Sequence, residues 1–291
     1  MHKISIILPA KNEAINLLAL LPELGKFMAH AEIIIVDDGS VDDTIKHCMS
    51  HTINVISHPY SKGNGAAIKT GARAAKGDVL VFMDADGQHK PEDIPLLIEK
   101  FNQGYDMVVG ARQSGSHAGV HRAAANDVFS RFATWMVQQP VEDLTSGFRV
   151  VDAKKFRKFM YLLPNGFSYP TTITMSFFRA GFNVGYVPIQ TLRRANGKSH
   201  IRPIRDGIRF LLIIIKIGTL YSPQKLFIPI SGAFFLSGFL YYLYTFLTAD
   251  RFTNMSALLF ISAILTFLVG IVSEQISALH YKGIDDARRN D

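Results

Sequence analysis

Two aspartates, Asp84 and Asp86, stand one residue apart directly after an apolar run from Val79 to Met83. A short apolar run of this kind predicts a buried strand, in which residues two apart point to the same side. We therefore expect the two carboxylates to converge where the strand ends. Such oxygens are ligands for Mg²⁺ or Mn²⁺, and Gln88 stands close enough to add an amide oxygen. The alternative is an ordinary loop that leads into the helix expected at Pro91.

The preceding chain alternates apolar strands with helical patterns, which predicts a mostly parallel sheet with helices on both faces. In such sheets ligands bind beyond the carboxyl ends of the strands. Three polar motifs follow predicted strands at that edge: residues 11–13, 37–40 and 84–88. Their common position supports a ligand site better than any one of them does alone. A lone Gly63-x-Gly65 is a weak dinucleotide signal, because it lacks a third glycine and does not follow the first strand.

A basic stretch lies in the second half of the chain. From Arg193 to Lys225 there are eight lysines and arginines against one aspartate, an excess equal to the formal net charge of +7. A local excess of this size suggests an anionic partner. We expect residues 201–225 to form an amphipathic segment at a membrane surface, with a buried amphipathic helix as the alternative. Nucleic-acid binding would not explain why apolar stretches follow, so no nucleic-acid partner is expected.

Residues 226–248 and 255–279 are long and apolar enough to cross a bilayer, and the short link between them predicts a two-helix transmembrane hairpin. The lysines and arginines before the first span place the N-terminal domain, residues 1–200, and the tail, residues 280–291, in the cytosol. We expect a multi-pass protein of the cytoplasmic membrane with both termini cytosolic. One cysteine, Cys48, excludes an intrachain disulfide and agrees with a reducing compartment. The hairpin also offers a surface for a homo-oligomer.

Three further expectations concern one helix and two single residues. The pattern from Val41 to His51 predicts a helix that Ser40 caps. Trp135 falls on the apolar face of a predicted helix over residues 126–137 and is expected in the core. His58 shows no metal-ligand spacing and is interpreted as a loop histidine.

Five motifs carry a resemblance to a known family. In order, they are Pro9–Glu13, Val36–Ser40, Asp84–His89, Thr145–Arg149 and Arg194–Ser199. They resemble the motif series of family 2 glycosyltransferases, and within it the dolichol-phosphate mannose synthase and polyprenyl-phosphate glycosyltransferase branch. The resemblance implies a GT-A, Rossmann-like fold and Mg²⁺ or Mn²⁺ as cofactor. It also implies inverting transfer of one hexose, such as glucose or mannose, from a UDP- or GDP-linked donor to undecaprenyl or dolichyl phosphate.

The resemblance further implies roles for individual residues. The metal would be held by Asp84, Asp86 and Gln88. The nucleotide sugar would contact Pro9, Ala10, Asn12, Glu13, Asp37, Asp38, Lys62, Gly63, Asp84, Ala85, Asp86 and Arg194. The acceptor phosphate would contact Arg112, Ser146, Arg194, Lys198, Ser199 and His200. Catalysis would depend on Asp86, Arg112 and Asp143, with Asp143 either a base or a structural hydrogen-bond partner.

Two departures from the family pattern bear on these roles. Ala10 and Lys11 stand where an aromatic residue often lies, which leaves the stacking of the base open. His200 stands where the family usually has lysine, which would make that phosphate contact depend on pH. An acceptor phosphate is already an anion, so it needs no dedicated base, and arginines such as Arg112 and Arg194 would position it. The alternatives are transfer to a saccharide or protein acceptor, and a membrane scaffold with a relict site.

Overall fold

The structure is a computed structural model that describes residues 2–27, 31–48, 53–112, 120–166, 169–192, 215–216 and 218–289. The chain forms two compact units, Met1–Ile201 and Arg202–Asp291. Most of the expected amphipathic segment, residues 201–214 and 217, lies outside the described residues, whereas 215–216 and 218–221 are helical.

Within the described part of the first unit, seven strands form one sheet in the order β3-β2-β1-β4-β6-β5-β7. The strands are β1 Ile4–Ala10, β2 Glu32–Asp37, β3 Asn54–Ser57, β4 Val79–Phe82, β5 Met107–Arg112, β6 Arg149–Asp152 and β7 Val184–Ile189. All neighbours are parallel except β6, which runs antiparallel to both β4 and β5. Because of that reversal, β6 begins at the edge where β4 and β5 end. The turn before β6 therefore joins the carboxyl ends of those strands.

Helices cover both faces of the sheet. They are α1 Ala14–Phe27, α2 Thr44–Cys48, α3 Asn64–Ala74, α4 Ile94–Phe101, α5 Val120–Val137, α6 Ala153–Lys158 and α7 Tyr169–Arg179, with 3₁₀ turns at Pro91–Asp93 and Met160–Leu162. Leu17 and Leu97 share one core cluster with alternate strand residues such as Ile6 and Val81. On the other face, a methyl group at Gly71 would lie 2.4 Å from Ile7, so α3 packs directly on β1. Strands buried on both faces explain the continuous apolar runs of β1 and β4.

Two local expectations are wrong. The helix expected from Val41 begins at Thr44, because the Asp42 carboxylate accepts hydrogen bonds from the amides of Thr44 and Ala14 and holds the chain in a turn. Ser40 does not cap it; its hydroxyl accepts from the amide of Asn12. Trp135 is 49% exposed rather than in the core, since α5 buries the adjacent stripe that contains Ala133 and Met136 instead.

The described part of the second unit contains two long helices, α8 Pro223–Ala249 and α9 Asn254–Arg289, joined by a short turn. Pro223–Ala249 and Asn254–Leu279 are long and apolar enough to cross a membrane. Gly238 lets α8 approach Leu259, and Gly270 lets α9 approach Phe227. Most of the large apolar side chains point outward and are exposed, as a bilayer-facing surface requires. The predicted hairpin is confirmed.

One acidic residue lies among these apolar side chains. Glu274 of α9 accepts a hydrogen bond from the amide of Gln224, 3.4 Å away, in the first turn of α8. The first amides of a helix have no partner within it and carry a partial positive charge. Glu274 therefore caps the neighbouring helix of the hairpin.

Candidate active site

Asp84 and Asp86, the two aspartates of the third motif, lie immediately beyond β4. The strand ends at Phe82, one residue before the predicted end, although the amide of Met83 still donates to the carbonyl of Ile7. Asp86 sits in the following turn, where its carboxylate accepts a hydrogen bond of 3.1 Å from the amide of Gln88. Gly87 adopts a φ of 71°, a conformation that glycine reaches without strain. The chain therefore turns directly after the strand.

Asp84 is held by groups from two other segments. Its carboxylate interacts with the side chain of Asn64 at the start of α3. A methyl group at Gly147 would lie 2.8 Å from the Oδ2 atom of Asp84, so the bare backbone of Gly147 packs against this carboxylate. Burial raises the pKa of Asp84, while the Asn64 hydrogen bond and the charges of Arg112 and Arg149 act in the opposite direction. A cation beside it would favour the ionised form.

His89 follows the pair and is buried, with its ring stacked on Phe148 at a centroid distance of 5.0 Å. Burial lowers the pKa of His89 to about 4, against the opposing charge of Asp86. The imidazole is therefore neutral at physiological pH. Its Nδ1 atom has no hydrogen-bond partner among the described residues.

The donor set suits a cation that is shared with a substrate. In the part of the chain that the structure describes, no group of three or more His, Cys, Asp or Glu side chains forms a complete metal site. The carboxylates of Asp84 and Asp86 and the side-chain amide oxygen of Gln88 are hard oxygen ligands. Mg²⁺ is commonly bound by one or two carboxylates together with substrate phosphates. Asp84 and Asp86 therefore fit Mg²⁺ or Mn²⁺ that binds together with a diphosphate.

Arg112, at the end of β5, forms a two-pronged ion pair with Asp143. Its Nε and Nη2 atoms donate to the two carboxylate oxygens at 2.7 and 3.0 Å, and Nη2 also donates to the hydroxyl of Thr145. The Asp143 side chain is fully buried, whereas 34% of the Arg112 side chain is exposed. The buried carboxylate therefore holds the partly exposed guanidinium in one orientation at the carboxyl edge of the sheet.

Asp143 is occupied by donors from its own chain. Besides Arg112, the amides of Thr145 and Ser146 donate to its Oδ1 atom at 3.0 and 3.1 Å. Burial alone would raise the pKa of Asp143, but the hydrogen bonds and charge of Arg112 and the backbone amides outweigh it and lower the pKa. This arrangement favours a role in holding Arg112 and the Thr145–Ser146 turn over a role as base.

The ends of β1 and β2 are tied together at the site. Asn12, with a φ of 57°, accepts a hydrogen bond of 2.9 Å from the amide of Val41, and its own amide donates to Ser40 at 2.9 Å. Asp37 is buried and accepts from the amide of Ser40. Of the other predicted nucleotide contacts here, Pro9 and Ala10 belong to β1, and Glu13 and Ala85 are buried beside the strand ends. The first two motifs thus form one connected surface.

Asp38 uses both carboxylate oxygens inside the protein. It accepts from His58 Nδ1 at 2.8 Å, from Ser61 Oγ at 2.7 Å, and from the amides of Lys62 and Gly63 at 2.8 and 2.9 Å. Burial acts to raise the pKa of Asp38, but these hydrogen bonds outweigh it and lower the pKa to about 2. The carboxylate predicted to contact the nucleotide therefore also anchors the loop that holds Lys62 and Gly63.

His58 has a structural role that the sequence did not indicate. It is buried, and its Nε2 atom lies 2.9 Å from the hydroxyl of Thr70 on α3 while its Nδ1 faces Asp38. It connects the end of β3 to α3 and to the anchored loop.

We predict that Asp38→Asn lowers the free energy of unfolding by about 2 kcal/mol, since an amide cannot accept all four hydrogen bonds. Because the folded-state pKa of Asp38 lies below its ordinary value, its contribution is complete above about pH 4 and is lost as the pH falls toward 2. Denaturant unfolding between pH 3 and 7 should therefore show a smaller acid dependence for the variant. Asp43→Asn, an exposed aspartate on the same loop, is the matched control. Equal stability of Asp38→Asn and wild type would contradict the anchoring role.

Gly63 and Gly65, on either side of Asn64, pack against residues 164–166 rather than forming a dinucleotide site. Methyl groups at Gly63 and Gly65 would lie 2.5 Å from the carbonyl oxygen of Asn165 and 2.1 Å from that of Pro164. The amide of Ala66, in the first turn of α3, donates to the Asn165 carbonyl at 3.1 Å. These glycines are therefore explained by packing of residues 164–166 on the start of α3.

The residues predicted to contact the acceptor phosphate are described only in part. Ser146 is buried, and its hydroxyl has no hydrogen-bond partner among the described residues. Four predicted contacts, Arg194, Lys198, Ser199 and His200, lie outside the described residues. Three residues at the site were given no role from the sequence: Asn64, Gly147 and Arg149. The last two belong to the Thr145–Arg149 motif, which was the available signal.

Gly147→Ala should disturb Asp84 directly. The added methyl group would lie 2.8 Å from Oδ2 and 3.4 Å from Oδ1, so the carboxylate must move. We expect a rise of about 10- to 100-fold in the metal concentration that gives half-maximal activity, the range found for residues that orient metal ligands. The measurement is activity against Mn²⁺ concentration, with circular dichroism as a control for folding. Gly166→Ala, where an added methyl group meets nothing within 4 Å, should behave as wild type.

Comparison with known proteins identifies the family. The model of glycosyl transferase family 2 matches residues 5–162, more than half of the chain. The chain belongs to glycosyl transferase family 2. It is a glycosyltransferase, as the five motifs predicted. A second model, the GtrB C-terminal hairpin, matches residues 222–279, which contain most of α8 and α9.

Individual relatives differ in how much of the chain they match. A dolichol-phosphate mannosyltransferase of Pyrococcus furiosus is 39% identical over 116 residues, which are 38% of this chain and 33% of that protein. An undecaprenyl-phosphate 4-deoxy-4-formamido-L-arabinose transferase of Klebsiella pneumoniae is 33% identical over 44% of this chain and 42% of its own. The glycosyltransferase AglJ of Haloferax volcanii is 23% identical over 95% of this chain and 94% of its own. The first two matches span less than half of those relatives.

Solved structures show the fold. A glucosyl-3-phosphoglycerate synthase from Mycobacterium tuberculosis, in complex with Mn²⁺, UDP and phosphoglyceric acid, is similar with a TM-score of 0.60. The sequences are 21% identical, and the match covers 75% of this chain and 78% of that one. The same enzyme with Mg²⁺ and UDP gives a TM-score of 0.59, at 21% identity over 74% of this chain and 79% of that one. The predicted GT-A fold is confirmed.

Proposed function

We propose that this glycosyltransferase moves one hexose from a UDP- or GDP-linked donor to a polyprenyl phosphate, with inversion at the anomeric carbon. The observation that carries the proposal is the Thr145–Gly147 turn, which touches both charged parts of the site. Thr145 accepts from Arg112, and Gly147 packs against Asp84. A cation on the carboxylates and the fixed guanidinium would thus lie on either side of one turn, which suits a reaction between two phosphate-bearing substrates.

The donor would bind along the edge formed by β2, β1 and β4. Parallel strands lie about 4.8 Å apart, so the end of β2 is about 10 Å from the end of β4. That distance suits a nucleoside diphosphate with its phosphates near Asp84 and Asp86 and its nucleoside near Asp37 and Asn12. A divalent cation bound by the two aspartates would neutralise charge on the departing diphosphate. The known complexes of the structural neighbour contain UDP with Mn²⁺ or Mg²⁺.

The acceptor proposal rests on charge and on the hairpin. A phosphate monoester is already ionised, so Arg112 need only orient it, and Asp143 is free to hold Arg112 rather than to abstract a proton. The two apolar helices suit a substrate that is confined to a membrane. The names of two relatives specify dolichol phosphate and undecaprenyl phosphate. We place the catalytic unit and both termini on the cytosolic side, because of the basic stretch that precedes α8.

The test is a transfer assay with the full-length protein in nanodiscs. Labelled UDP- and GDP-hexoses are each incubated with undecaprenyl phosphate and Mn²⁺, with and without EDTA. We expect one donor to give a lipid-linked monosaccharide, sensitive to EDTA, with an anomeric configuration opposite to that of the donor. Such a product would supply envelope glycan or lipid modification. Transfer only to an added saccharide or protein would favour the alternative acceptor class, and no lipid product from any donor would contradict the proposal.

A further inference from the structure

Arg149, the first residue of β6, is a fully buried cation. Its guanidinium donates to the carbonyl of Ser146, to the carbonyl of Pro170 at 3.2 Å and to the hydroxyl of Thr174 at 3.2 Å. These three acceptors are neutral, and the Nε atom has no hydrogen-bond partner among the described residues. Burying a charge on neutral acceptors is costly unless nearby charges compensate. This residue therefore needs an explanation beyond packing.

The contacts of Arg149 connect it to Asp84 through the Ser146–Gly147 backbone. Its bond to Ser146 holds the backbone one residue before Gly147, and the hydroxyl of Tyr169 donates to the Gly147 carbonyl at 3.4 Å. Gly147 in turn packs against the carboxylate of Asp84. Arg149 and Tyr169 of α7 thus hold the backbone that packs against Asp84. Asp84 and Asp143 are the carboxylates whose charge acts on Arg149.

We propose that Arg149 is a positioning residue that fixes the Ser146–Gly147 turn against Asp84, and so sets the affinity of the aspartate pair for its divalent cation. This inference rests on the proposed function of Asp84 and Asp86. A guanidinium suits the task because its planar fork reaches the Ser146 carbonyl and two groups of α7 in one fixed geometry. An ammonium group has the charge without the fork.

The test measures Mn²⁺ binding directly, by electron paramagnetic resonance of free Mn²⁺ in the presence of UDP or GDP. Full-length Arg149→Met should bind Mn²⁺ at least about 10-fold more weakly than wild type, and Arg149→Lys should fall between them. Arg157 is the matched control, since it also donates to backbone carbonyls, those of Ala72 and Ala75 at the far end of α3. Arg157→Met should lower thermal stability and leave Mn²⁺ affinity unchanged.

A second measurement tests the inference if Arg149→Met does not fold. Gly147→Ala and Arg149→Lys act on one contact, so their effects on Mn²⁺ affinity should be less than additive in the double variant. Additive effects, unchanged Mn²⁺ affinity in a folded Arg149 variant, or an equal loss in Arg157→Met would each overturn the inference. Wild type that binds Mn²⁺ but transfers no sugar to polyprenyl phosphate would refute the proposed function alone, because the effect of Arg149 on binding would still be measurable.

Discussion

Asp86→Asn is expected to lower the rate of sugar transfer by about 10²- to 10³-fold while leaving the fold intact, the range found when one stabilising group is removed from an active site. The substitution preserves shape and leaves an oxygen to accept from the amide of Gln88. It removes one of the two negative charges that would hold the cation. The loss should therefore appear both as weaker Mn²⁺ binding and as a lower rate at saturating Mn²⁺. Steady-state kinetics over a range of Mn²⁺ concentrations separates the two.

The control for this prediction is a nearby aspartate outside the site. Asp93 lies on the 3₁₀ turn after the motif, and its Oδ2 atom is buried with no hydrogen-bond partner among the described residues. Burial raises the pKa of Asp93, so the folded protein favours a neutral group there. Asp93→Asn should match or exceed the wild type in stability and leave the metal dependence of activity unchanged. Wild-type rates for Asp86→Asn at all Mn²⁺ concentrations would contradict the proposed metal site.

The sequence predicts the strands around β4 well because strands buried on both faces need continuous apolar runs. Such runs can be recognised in the sequence alone. The antiparallel direction of β6 cannot be predicted from the apolar pattern. Val150 and Val151 are apolar in either orientation, and their pairing with β4 and β5 depends on contacts far apart in sequence. Yet this reversal is what brings the Thr145–Gly147 turn to the site. The family motif indicated the turn, and only the fold shows its two contacts.

Three residues, Asp38, Arg149 and Trp135, have surroundings that the sequence did not predict. A pattern can mark Asp38 as a polar residue at a strand end, but it cannot show that His58 and three other donors occupy its oxygens. Arg149 was given no role because arginine is rarely buried, so burial is not predicted from its type. Trp135 was placed in the core for the opposite reason. In each case tertiary contacts overrode the preference of the residue type.

The ion pair of Arg112 and Asp143 gives the second large prediction, which decides between the two roles of Asp143. If Asp143 positions Arg112, then Arg112→Lys and Asp143→Asn each remove the two-pronged contact and should each lower kcat/KM by about 100-fold. The double variant should then lose little more than either single variant, because both break one interaction. If Asp143 were instead a base, Asp143→Asn would be the more severe change, and Arg112→Lys would add a further loss.

The pH dependence of kcat/KM provides an independent test of the same pair. The hydrogen bonds from Arg112 lower the pKa of Asp143, so this carboxylate stays ionised throughout the neutral range and cannot cause a fall in activity near pH 6. The dianion of a phosphate monoester takes up one proton at about pH 6, and the singly charged form that results is the weaker nucleophile. We therefore expect activity to fall below about pH 6 in wild type and in Asp143→Asn alike. If this fall disappeared in Asp143→Asn, the acid limb would belong to Asp143, and the carboxylate would be the base after all.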